Sequence, residues 1–121
     1  MAEVHLCRVT ALLASGPGQP AGDTRTGLEL VVCLDGRGQP DLDACRIEHD
    51  WDVRRFWPDR PDWRGNLVRL EGGAFGMHSA GSPDEPVRRF HGQVFRPGEY
   101  LSLQQPGGGH LVFRIVSVEA A

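Results

Sequence analysis

The densest run of chemistry-bearing side chains lies between Trp51 and Arg69. It comprises Trp51, Arg54, Arg55, Phe56, Trp57, Arg60, Trp63, Arg64 and Arg69. Aromatic faces stack on nucleobases, and guanidinium forks grip phosphate or stack in turn. A β-barrel presenting residues 51–69 on one surface is therefore a candidate binder of single-stranded nucleic acid. The local charge argues against that reading. From Glu48 to Arg64 there are four Arg against five acids (Glu48, Asp50, Asp52, Asp59, Asp62), a balance of −1. Phosphate recognition needs the opposite sign. Two readings compete with it. In one, the tryptophans plug the core or one barrel end while the charges pair in solvent. In the other, the run forms a surface for a protein partner or an acidic ligand. Neighbouring residues of a strand face opposite ways, so only one of Arg54 and Arg55 can join a single patch, and the same holds for Arg88 and Arg89. The binding surface expected here is Trp57, Trp63, Arg55 and Arg64.

Metal ligands of the right types are present: His5, His49, His78, His91 and His110, with Asp50, Asp52 and the three cysteines. Their spacing carries no H-x-H, H-E-x-x-H or paired-cysteine motif, so a metal site requires distant residues to converge. No cofactor or metal is expected from the motifs. Cys7 and Cys33 lie in apolar runs, where cysteine behaves as a small hydrophobe. Cys45, next to Arg46, is the one thiol whose pKa a neighbour can lower. A G-x-S-x-G elbow is absent. The PGGG run at 106–109, followed by His110, joins two strands and opens no helix, so it reads as a hairpin turn and not a phosphate loop. All thirteen basic residues are Arg, which excludes Schiff-base and P-loop lysine chemistry.

These side chains need a scaffold, and composition bounds it. At 121 residues with a net charge of −3, the chain matches one domain over 1–121 with no general attraction to nucleic acid or anionic membranes. No run approaches the ~20 apolar residues of a membrane helix. Three cysteines without a C-x-x-C pair predict reduced thiols and a cytoplasmic protein. The 16 Gly and 9 Pro fall between apolar runs, as turns do between short strands.

Strand patterns cover 4–13 and 28–35, the latter with Leu28, Leu30, Val32 and Leu34 on one face. Further strands fall at 66–70, around Phe75 and Met77, in VRRFHGQVF, at Leu101–Leu103 and at 110–118. Segments 15–27 and 80–86 read as flexible loops. RPGEY is a type II turn, with Pro97 at its second position and Gly98 at its third. Residues 41–49 carry the one helix signal, with Asp41 as N-cap and Leu42 and Cys45 facing inward. The fold expected is mainly β: a small antiparallel barrel or sandwich of about seven short strands with that single helix.

Three pieces, CRIEHDWDVRRFWPD with GNLVRL, QVFRPGEYLSL and LVFRIVSVE, resemble a family of small bacterial proteins. In that family an RRFW-type stretch precedes a PGEY turn and an FRVVSV-type strand. The resemblance spans roughly residues 45–119. It implies a self-contained bacterial domain and brings no catalytic residue. The function expected is a non-enzymatic barrel that binds another macromolecule, foremost a protein or a second copy of itself. The alternatives are a ligand- or metal-binding domain or enzyme built from dispersed His and Asp, and a single-stranded nucleic-acid binder.

Overall fold

The computed structural model describes residues 4–16, 18, 20–41, 51–71, 74–81, 84–91, 94–105 and 109–121. Their strands are β1 (His5–Ser15), β2 (Asp23–Leu34), β3 (Asp52–Phe56), β4 (Trp63–Arg69), β5 (Phe75–Ser79), β6 (Arg88–His91), β7 (Tyr100–Gln104) and β8 (His110–Ala120). Each pairs antiparallel with the next, and β8 returns to β1, closing a barrel. The fold is the barrel and not the sandwich, and closure leaves no open sheet edge. Eight strands stand where about seven are expected. The extra one is β3, whose five residues end just short of Pro58 yet pair with β2 on one side and β4 on the other. The helix expected over 41–49 lies outside the described residues, apart from Asp41, whose N–H donates to the Cys33 carbonyl at 2.8 Å.

Alternation along the strands fills the interior. Leu28, Leu30, Val32 and Leu34 are at most 3% exposed, as their period-2 spacing predicts. Opposite them stand Val9, Ala11, Phe113, Ile115, Leu101 and Leu103, all buried. Eight strands enclose a space that side chains just fill. The end bearing the β6–β7 connection carries an aromatic cluster: Phe75 lies 5.7 Å from Phe90 and 5.5 Å from Phe95, centroid to centroid. Trp51 is buried at this end too. Beyond Phe95 the chain reverses through the RPGEY turn. Gly98 has φ +93°, and the Glu99 N–H donates to the Arg96 carbonyl at 3.0 Å, the geometry of a type II turn.

Two expectations are corrected. Segment 15–27 is not loop throughout, because β2 starts at Asp23. Its first turn of sequence lacks large apolar residues because it borders the open end of the barrel, where the inward layer is polar. The cysteines also differ. Cys7 is free, whereas Cys33 is disulfide-bonded, its partner lying outside the described residues. A single disulfide need leave no C-x-x-C motif, so spacing could not reveal it. With Cys33 paired, the thiol argument for the cytoplasm loses its premise.

Candidate functional site

The end opposite the aromatic cluster is the mouth. There β1, β3, β5 and β7 finish and β2, β4, β6 and β8 begin. Register determines what faces inward. Leu28 stands opposite Arg55, and Arg55 opposite Trp63. Gly65 stands opposite Ser79, and Met77 opposite Arg88. Directly opposed residues share a face of the sheet, so one inward layer collects Arg55, Trp63 and Arg88, one step above apolar side chains. Thr26, two residues before Leu28, joins it. The buried polar residues among those described are Thr26, Arg55 and Ser79, and all three belong to this rim.

Within the rim is a cavity of about 790 Å³, lined by Thr26, Arg55, Trp63 and Arg88, by Leu13, Gln105 and Leu111, by Asp23 and Arg25, and by Trp57 to Arg60 of the β3–β4 connection. The Arg55 guanidinium carbon lies 4.3 Å from the centre of the Trp57 ring, and that of Arg60 lies 5.0 Å from the same ring. Arg88 stands 5.8 Å from the Trp63 ring. Such contacts hold the cations against flat walls. The Trp63 ring itself lies over Gly65, where a Cβ would collide with the ring and with the His78 carbonyl oxygen. Glycine at 65 thus makes room for the indole.

The charges of the cup are unevenly matched. Arg25 meets Asp23 at 3.4 Å, Arg60 meets Asp59 at 3.9 Å and Arg88 meets Glu85 at 3.3 Å. Asp23 also accepts from the Thr26 hydroxyl at 3.2 Å, and its carboxyl is held below the usual range first by the Arg25 backbone N–H. Arg55 has no carboxylate partner among the described residues. It is 7% exposed, and burial, with Arg88 and Arg60 adding repulsion, pushes its pKa down to about 10. Its Nε and the Trp63 Nε1 are buried donors without a hydrogen-bond acceptor. Such groups normally cost ~1–3 kcal/mol each when left unmade, and here two stand on directly paired residues.

Three of the four expected binding residues meet at this cup: Arg55, Trp57 and Trp63. Arg64 does not. It follows Trp63 in β4 and lines a separate hollow of about 430 Å³ with Arg8, Glu29, Asp52, Arg54 and Asn66. There Arg54 reaches Asp62 at 3.0 Å and Glu29 at 3.4 Å, and Arg8 reaches Glu29 at 3.8 Å. Residues 51–69 therefore do not form one surface, since Trp51 is buried at the far end. Arg60 belongs to the Arg–aromatic run but not to the four expected binding residues, and it lines the cup. Arg25, Arg88 and Thr26 are cup residues outside that run, of which Arg88 left a signal in being in phase with buried Phe90.

The other candidates fall elsewhere. His91 and His110 do converge, their ring centroids 5.5 Å apart, and Ser102 Oγ lies 3.4 Å from His110 Nδ1. Among the described residues no three His, Cys, Asp or Glu side chains gather as a metal set. Cys45, His49 and Asp50, and residues 106–108 of the PGGG turn, lie outside the described residues. Burial raises the Cys7 thiol above its ordinary pKa.

Fold and cup together define a small closed β-barrel with a cationic, aromatic-walled mouth. Comparison with family models, curated proteins and solved structures finds no match to this chain.

Proposed function

We propose that this protein is a non-enzymatic binding barrel whose mouth receives an anionic group. The observation that carries the reading is Arg55: a guanidinium 7% exposed, without a partner at Nε, facing a cavity. A buried cation with no counter-charge is among the costliest features a fold retains. It is explained when an anion from outside completes it. The rim supplies unpaired N–H donors, so it complements an acceptor. Arg and Trp side chains exchange no proton near neutral pH, which suits binding and orienting better than acid–base chemistry.

Trp57 and Trp63 make the site self-reporting. Titration with sodium salts of small anions at constant ionic strength, followed by tryptophan fluorescence, tests the reading. The wild-type signal is expected to saturate, and Arg55→Met is expected to abolish that response. Equal responses from both proteins would refute it.

A further inference from the structure

Resting on the anion-binding reading, we propose that the ligand group at the mouth is a single carboxylate carried on a compact aromatic or apolar body, and not a phosphate. Charge balance comes first. Three of the four lining arginines already face a carboxylate of their own, Asp23, Asp59 or Glu85, and among the described residues Arg55 alone does not. The described residues of the cup therefore carry one cation in excess. A carboxylate carries one charge and neutralises it. A phosphate monoester carries roughly −1.5 to −2 at neutral pH and would leave up to a whole negative charge beside Asp23 and Asp59 in a partly enclosed space.

Donor geometry agrees. Arg55 Nε and Trp63 Nε1 are unsatisfied N–H donors on directly opposed residues of β3 and β4, so an acceptor at this point of the rim answers a need of both. A guanidinium matches the planar carboxylate better than a tetrahedral phosphate when it bonds edge-on. The body of the ligand then meets Trp57, Pro58, Leu13 and Leu111, the apolar part of the lining. The indole of Trp57 already carries two guanidinium groups over its ring, so it offers a charged and flat wall to an aromatic body.

Calorimetry at pH 7.5 and fixed ionic strength separates the possibilities with four probes: benzoate, phenyl phosphate, benzamide and acetate. Benzoate is expected to bind at least tenfold tighter than phenyl phosphate and benzamide, and tighter than acetate, which lacks the body. Arg55→Met is expected to lose benzoate at least tenfold. Trp63→Phe, which keeps a ring and removes one N–H, is expected to lose it severalfold with an unchanged circular dichroism spectrum. Tighter binding of phenyl phosphate overturns the carboxylate assignment and leaves the anion reading standing. Equal binding of benzamide and benzoate, or no binding by either anion, overturns both. A peptide ending in Phe, with its terminus free or amidated, identifies the source. Binding of the free form as tight as benzoate assigns a protein C-terminus, and weaker binding assigns a free acid.

Discussion

Arg55 should be a liability to the empty protein, so removing it should make the fold more stable. The magnitude follows from its burial. Burial holds the Arg55 guanidinium well below its ordinary value, at about 10, a displacement that corresponds to about 3 kcal/mol held against the charged form in the fold. The stacking on Trp57 at 4.3 Å returns about 1 kcal/mol. Methionine keeps much of the aliphatic stem and loses the charge, so Arg55→Met should gain about 2 kcal/mol at pH 7. In a chain of this size that raises Tm by roughly 5–10 °C. Thermal and urea denaturation in a buffer poor in carboxylate, phosphate and sulfate measure it. The sign with pH can be worked out. The folded pKa lies below the unfolded one, so above about pH 10 the unfolded chain binds more protons and wild-type stability rises relative to the variant. The gap is therefore widest at neutral pH and narrows as pH rises through 10. A ligand present at a hundred times its Kd adds about 2.7 kcal/mol to wild type only, which should close or reverse the order. A variant clearly less stable than wild type at pH 7 would show that Arg55 is a structural cation, and the case for an external anion would fail with it.

Anion affinity should be flat from pH 6 to 9, because neither Arg55 nor Trp63 titrates there, and should fall as pH rises through about 10; calorimetry across that range checks it, and a midpoint near 6.5 would implicate a histidine instead. Arg54→Ala removes the paired neighbour that faces outward, so it should cost about 1 kcal/mol or less in urea denaturation and leave benzoate affinity unchanged. Gly65→Ala should destabilise the barrel by about 2 kcal/mol or more, since the added Cβ meets the Trp63 ring and the His78 carbonyl; binding should weaken with it as the indole is displaced. An Arg55→Lys variant should keep the charge, lose the planar fork, and retain anion binding at least severalfold weaker.

What sequence made legible is what depends on alternation. The inward sets of β2 and β7, the type II turn at Gly98 and the divergence of Arg54 from Arg55 all follow from a period of two and from glycine's freedom at positive φ. A closed barrel accounts for why so many short apolar runs have no obvious edge strand. What stayed hidden depends on register across strands distant in sequence. The charge count from Glu48 to Arg64 sums to −1 and argues against a phosphate-binding footprint. In the fold that sum divides: Arg54 takes Asp62 and Glu29 on the outer wall, and Arg55, one residue on, faces inward without a carboxylate among the described residues. A linear total averages over the two faces of a strand, and a binding site needs only one of them. Arg88 arrives from a strand 33 residues later by number (88 − 55), brought beside the cup by the Met77 register, and no pattern within the 51–69 segment could have announced it. The polar start of β2 misled for the same reason. Thr26 and Asp23 lack the apolar mark of a strand because they rim the mouth, so the residues that broke the fold pattern are those that build the site.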